Sequence, residues 1–363
     1  MYSCGKKKST DLPLDKDHKA AIYVTTDNNN LLSYNPLTGV KQWEIILKGI
    51  STGVPVIYKN VLYLTTNSGY LYSVDVITGK ITMEKYIQKN ILTSMAVAND
   101  RLYACTTDSF YCYKLNGDVD WIYRHDNPGI ACTSSPQLFN GNVYFAAGDS
   151  IHAISASNGA PIWTWGASGA NISSSPRVSN GVVYFGAGNK NIYALNATTG
   201  ALKWNYSSSN KITSSPLVYG GMCIIGSTDF SIYCVDTTSP TAPPAGELRW
   251  KFSTGDKVSS SASVHELSNT ILIGGYDFNL YAIDHVSGTL KWKYPAGSII
   301  RSSPLVYGDY AYFTCLDRYL YCIDIRNGAT VWKSFLNGTT ESSPMADDLA
   351  DGVYPGISGM SKY

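Results

Sequence analysis

The chain has 363 residues, 44% of them apolar, and a net charge of +1 from 28 basic and 27 acidic side chains. The apolar fraction excludes a disordered chain, the balanced charge argues against a nucleic-acid binder, and no apolar run reaches the roughly 18 residues of a transmembrane helix. Only 15% of residues are charged, whereas Gly numbers 32 and Tyr 28, a composition of many short strands and tight turns.

In chain order, residues 1–19 carry no strand pattern. Between Gly5 and Lys19 stand five Lys and three Asp with little apolar content, so this segment reads as a disordered tail or tether. Residues 20–24 form the first apolar run, and from there to residue 363 the chain repeats itself. Trp43, Trp121, Trp163, Trp204, Trp250, Trp292 and Trp332 each follow a Gly by four residues, the glycines being Gly39, Gly117, Gly159, Gly200, Gly246, Gly288 and Gly328. Gly79 is followed at the same spacing by Met83, which fills the one gap and gives eight units. The longest spacing, Trp204 to Trp250, holds the Pro-rich insertion 237–245.

Within the units, further blocks recur. Leu-Tyr-Ser-Val-Asp at 71–75 matches 192–196, 280–284 and 320–324, and Val-Tyr-Phe at 143–145 matches 183–185 and 311–313. Ser-Ser-Pro recurs at 134–136, 174–176, 214–216, 302–304 and 342–344. Each unit therefore holds four runs of strand length. Asp108, Asp149, Asp229, Asp277 and Asp317 share one position between the second and third runs, where a carboxylate can bond the backbone two residues on. Thr78-Gly79, Asn158-Gly159 and Ser287-Gly288 supply positive φ to the next hairpin.

Eight such units predict an all-β fold, an eight-bladed β-propeller of four-stranded antiparallel blades, as one domain over 20–363. The first unit lacks its first strand, and the last Trp is followed by a first strand without a blade. Pairing about 341–349 with the strand around 20–26 closes the ring and removes two open edges. Residues 353–363 resemble the start of another unit.

The segments Ala-Leu-Asn-Ala-Thr-Thr-Gly-Ala-Leu-Lys-Trp (194–204) and Ala-Ile-Asp-His-Val-Ser-Gly-Thr-Leu-Lys-Trp (282–292) resemble the tryptophan-docking motif of pyrroloquinoline quinone (PQQ)-type propellers. The resemblance covers about 20–350 and implies that the seven Trp are structural, docking neighbouring blades. The dehydrogenases of that family use PQQ, a calcium ion, a carboxylate base and often a ring made by adjacent cysteines. Here no two cysteines are adjacent and the units run close to minimal length. No residue can be matched to a catalytic, cofactor or metal role. The family's non-catalytic branch includes a propeller lipoprotein of the bacterial outer-membrane assembly (BAM) machinery, of similar size and blade count.

The expected function is therefore a non-enzymatic binding or scaffold propeller of the bacterial cell envelope, monomeric, without cofactor, with an envelope or outer-membrane protein as partner. The alternatives are a PQQ-dependent dehydrogenase with calcium, or a ligand- or glycan-binding surface module. The N-terminal Met-Tyr-Ser-Cys-Gly-Lys-Lys-Lys resembles the cleavage region of a bacterial lipoprotein, without the apolar stretch that precedes such a site. Cys4 is thus a candidate for lipidation, which implies a periplasmic or outer-membrane location. An ordinary tail cysteine on a cytoplasmic propeller is the alternative.

The other cysteines lack metal-binding spacing, and Cys112, Cys234 and Cys322 replace the core alanines of other units. Free thiols are expected, with hairpin bridges Cys105–Cys112 or Cys315–Cys322 as the alternative. Asp118 and Asp120 show a faint calcium-loop pattern that a hairpin turn explains as well. A binding face follows from the repeat. Thr52, Leu92, Thr133, Ser173, Thr213, Ser259, Arg301 and Glu341 share the position that opens the innermost strands, so they should ring one channel mouth. Only Arg301 and Glu341 are charged, and they come from adjacent units. With Thr213 and Thr133 they are the candidate contacts for a ligand or partner loop, against the plainer reading of an ion pair at the ring closure.

Overall fold

The computed structural model describes residues 20–51, 53–124, 132, 134–238 and 246–347, and the backbone of 354–355. Their strands form eight sheets. The fourth is representative, with Gln137–Phe139 innermost, then Asn142–Ala147, Ser150–Ser155 and Pro161–Gly166. All its pairs are antiparallel, with Tyr144 opposite Ala153 and Ala153 opposite Trp163. Just past that last pair the register shifts, a bulge repeated in the outer hairpins of the other blades. Among the described residues the helical content is one 3-10 turn, Glu266–Ser268.

The first sheet closes the ring. Ala21–Thr25, Asn30–Tyr34 and Lys41–Ile46 come from the N-terminal end, and Met345–Asp347 from the C-terminal end. Ile22 lies opposite Ala346 and Tyr23 opposite Met345, within the windows that the repeat predicts. A two-residue strand, Tyr354–Pro355, pairs with Met345 and Ala346, so this sheet has a fifth strand where four were expected.

The burial pattern explains the composition. Second and third strands are flanked by neighbouring blades on both faces, so Ala21–Thr25 and Met222–Ser227 are buried along their whole length. Outer strands alternate instead, as in Leu290–Pro295, because one face meets solvent. The apolar core consequently lies between blades: Tyr144 and Ile151 of the fourth pack with Val183 and Phe185 of the fifth.

Strand polarity divides the loops between two faces. Turns between second and third strands share one face with the connections running from blade to blade. The remaining turns share the other. The channel mouth considered below opens on the connection face.

Candidate functional surface

The seven tryptophans sit at the seams between blades. Trp43 Nε1 donates to the Val76 carbonyl at 3.2 Å, Trp163 to Ala197 at 2.9 Å, Trp292 to Ile325 at 2.8 Å and Trp332 to Pro36 at 2.9 Å. Trp250 donates to His285 at 2.9 Å. Three of these carbonyls take a second bond from a tyrosine hydroxyl of the preceding blade, Tyr23 on Val76, Tyr144 on Ala197 and Tyr312 on Pro36. At Ala156 the hydroxyl of Tyr103 takes the carbonyl alone, and Trp121 Nε1 is left without a partner among the described residues. Each indole lies on a glycine of the next blade. A Cβ on Gly79 would stand 2.6 Å from Trp43, one on Gly200 2.7 Å from Trp163, and one on Gly246 3.2 Å from Trp204. Where Met83 replaces Trp, Lys85 covers Gly117 instead.

Both serines of the Ser-Ser-Pro block have structural duties. The first turns inward on its own blade, Ser134 accepting from Ala146 N–H at 2.7 Å and Ser174 from Gly186 N–H at 3.1 Å. The second links blades around the channel. Ser94 N–H donates to Ser135 Oγ, Ser135 to Ser175, Ser175 to Ser215, Ser215 to Ser261, Ser261 to Ser303, and Ser303 to Ser343, at 2.8–3.1 Å. Val54 N–H enters the series through Ser94 Oγ at 2.9 Å, but its own side chain offers no acceptor.

At the mouth, Arg301 Nη1 and Glu341 Oε1 form an ion pair between the last two connections. The Arg301 guanidinium also lies 5.3 Å from the centroid of the Tyr276 ring, with Lys257 Nζ on the same ring at 4.2 Å. Glu341 is 62% exposed and Arg301 36% exposed, so the pair is open to solvent. Thr213 Oγ1 donates to Ser259 Oγ at 3.2 Å, which places these two positions of adjacent units side by side. Thr133 lies outside the described residues, as do Thr52, Cys4 and the tail.

The remaining candidates are absorbed by packing. Seven cysteines are free and buried, so the hairpin bridges weighed from the sequence are not formed. Burial pushes the thiols of Cys112 and Cys322 up to about 12. Cys105 is raised as well, first by burial and then by Cys132, a neighbour that spacing did not indicate. Asp118 pairs with Lys85, and Asp120 with Arg101 at 2.7 Å, so neither carboxylate is free for calcium. The recurrent turn aspartates reach further than the next two residues. Asp317 accepts from Tyr319 N–H at 3.2 Å, but its other oxygen takes Gly297 N–H at 3.1 Å in the inter-blade connection and the Tyr321 hydroxyl at 2.5 Å. Asp229 does the same with Ser209 and Tyr233.

Two cavities bear on binding. One is an open groove of about 300 Å³ between the eighth and first blades, lined by Tyr34, Lys41, Glu44, Ser334 and Phe335. The other lies in the channel among Ser94, Ser135, Ser175, Arg177 and Ser215, and holds about 20 Å³, roughly one water. Among the described residues no three His, Cys, Asp or Glu side chains gather as a metal site. The residues lining this cavity include no carboxylate to hold the calcium that accompanies a quinone.

The family model described as outer membrane protein assembly factor BamB matches residues 27–164, 147–242 and 239–356. No curated protein matches by sequence. BamB from Moraxella catarrhalis superposes with a TM-score of 0.66 at 18% identity, over 84% of this chain and 91% of that one. The computationally designed Ika8 protein gives 0.68 at 14% identity, over 88% and 98%. Quinohemoprotein alcohol dehydrogenase from Comamonas testosteroni gives 0.68 at 13%, over 80% of this chain but 68% of that one. Identities this low carry the fold alone.

Proposed function

Because the chain belongs to the family of the outer membrane protein assembly factor BamB, we propose that it is a non-catalytic scaffold propeller of the bacterial envelope, binding a protein partner of outer-membrane assembly. The observation that carries the reading is the match of that one family model across residues 27–356. Two features support it. Among the described residues no metal-binding cluster is gathered, and the mouth carries a solvent-exposed ion pair. In this reading the mouth marked by Arg301, Glu341, Thr213 and Thr133 meets the partner. Cys4 carries the lipid anchor, and residues 5–19 let the propeller range over about 50 Å from the membrane.

The test is affinity isolation of the tagged full chain from its own membranes after crosslinking, with mass spectrometry of the N-terminal peptide. The expected result is recovery of an outer-membrane assembly protein and an acylated Cys4. Dye-linked alcohol oxidation on adding PQQ and calcium would overturn the reading. So would recovery of the native protein entirely in the cytosolic fraction. An Arg301→Ala variant that lowers Tm while leaving the partner bound would confine that residue to a structural role.

A further inference from the structure

In the first, second and fifth to eighth blades, the turn between second and third strands presents one residue at its tip in the left-handed region. Its carbonyl accepts an N–H from the next connection, for example Leu47 on Asn29, Ile87 on Gly69, Thr254 on Phe230 and Ala296 on Phe278. In these six blades the tip residue is held at positive φ, whereas Asp149, at the same position of the fourth blade, is not. In the first two blades the tips are Asn29 (φ 63) and Gly69 (φ 79), the residue types that tolerate it. In the fifth to eighth blades they are Lys190 (φ 73), Phe230 (φ 66), Phe278 (φ 68) and Arg318 (φ 70). A bulky residue in this region is strained, and such strain points to a role for the side chain. Phe230 and Phe278 contribute little to the core, being 48% and 47% exposed.

The charges beside these tips follow the same division. On the outer strands, Tyr233 lies opposite Lys251, Tyr281 opposite Lys293 and Tyr321 opposite Lys333, in the sixth, seventh and eighth blades. The corresponding residues of the first and second blades are Glu44 and Glu84. In the connections that follow the first and second blades, Lys48 and Lys89 each hold a carboxylate, as Arg301 does in the connection between the seventh and eighth. Among the described residues, Lys190, Lys251, Lys257, Lys293, Arg318 and Lys333 are in no such pair. The tip aspartates nearby, Asp229, Asp277 and Asp317, are occupied by backbone N–H groups and tyrosine hydroxyls.

We propose that the connection face of the fifth to eighth blades docks on an anionic phospholipid surface, with Phe230 and Phe278 entering the interface and the surrounding lysines meeting headgroup phosphates. Half-exposed aromatic tips supply apolar area at the headgroup level, and unpaired lysines gain from a negative surface potential. The cations are spread over four blades rather than converging, and neither cavity described above opens among them. A broad fluid surface matches that spread better than a single acidic protein segment. The inference goes beyond the assembly reading and does not depend on it.

The test is sedimentation of the full chain with phosphatidylcholine vesicles and with vesicles containing about one-third phosphatidylglycerol. Binding is expected only to the second kind and should weaken with salt. Phe230→Asn/Phe278→Asn should lower the vesicle-bound fraction severalfold without lowering Tm, because Asn suits the tip conformation. Lys251→Glu/Lys293→Glu should weaken binding about tenfold or more. No binding to the anionic vesicles, or binding untouched by the Phe substitutions, overturns the proposal. So does a Phe-dependent loss seen only in protein co-isolation, which would make the face a protein contact. The vesicle results leave recovery of an assembly partner untouched, whereas the co-isolation result would assign this face to that partner.

Discussion

The indole of Trp332, in the last blade, donates to the carbonyl of Pro36, in the first, at 2.9 Å. The same contact joins four other pairs of consecutive blades, so the seam where the termini meet is built like those. Gly39 completes it, since a Cβ there would stand 2.5 Å from the Trp332 ring.

Gly39→Ala should therefore cost more than its backbone alone explains. Gly39 and Gly181 share nearly the same conformation, φ +67 and +71, but nothing lies within 4 Å of a Cβ on Gly181. Positive φ costs each alanine about 1–2 kcal/mol, and overpacking against the indole adds about 1–3 kcal/mol at Gly39 only. Urea unfolding of the two variants side by side measures the difference, and equal losses would refute the seam account.

The serine series gives a second prediction. Ser303 Oγ accepts the buried Ser261 N–H at 3.1 Å. Ser303→Ala strands that donor and should destabilise the fold by about 1–3 kcal/mol. Ser157→Ala, at an exposed turn, should change stability by no more than about 0.5 kcal/mol. Thermal unfolding of both variants checks the contrast.

The native fold should also protect its thiols. Cys105, Cys112, Cys223, Cys234, Cys315 and Cys322 are buried, and burial raises all of them. A thiol reagent at pH 8 should leave these six unmodified in the native protein and label them promptly in guanidinium, because the thiolate is the reactive form. Rapid native labelling mapped to Cys112 or Cys234 would contradict the packing.

Acid should weaken the outer turns before the core. Backbone N–H of Ser287, assisted by Lys291, holds the Asp284 carboxyl down at about 2. A folded value below the unfolded one, about 3.9, contributes stability above that pH and loses it as pH falls toward 2. Asp284→Asn should therefore flatten the decline in Tm between about pH 4 and 2. An unchanged slope would mean that the turn does not hold its carboxylate as described.

Much of the architecture is local information. The fixed Gly-to-Trp spacing, the strand-length apolar runs and the orphan first strand at Glu341 give blade count, strand order and ring closure, because each unit repeats one hairpin chemistry. The sequence by itself determines these, together with the cysteines as core residues. Only the tertiary structure decides the partners across the seams. Gly39 meets Trp332 of the preceding blade rather than Trp43 of its own, Ser135 serves the blade before it, Asp317 reaches back to Gly297, and Cys105 neighbours Cys132. Alternation along a strand tells which face a side chain takes, but not the offset at which the next sheet packs against it. The same limit hid the strained tips. Phe230 and Phe278 read as ordinary turn residues until the connection's N–H groups, bound to their carbonyls, fix them in a conformation that Asn29 and Gly69 adopt without strain.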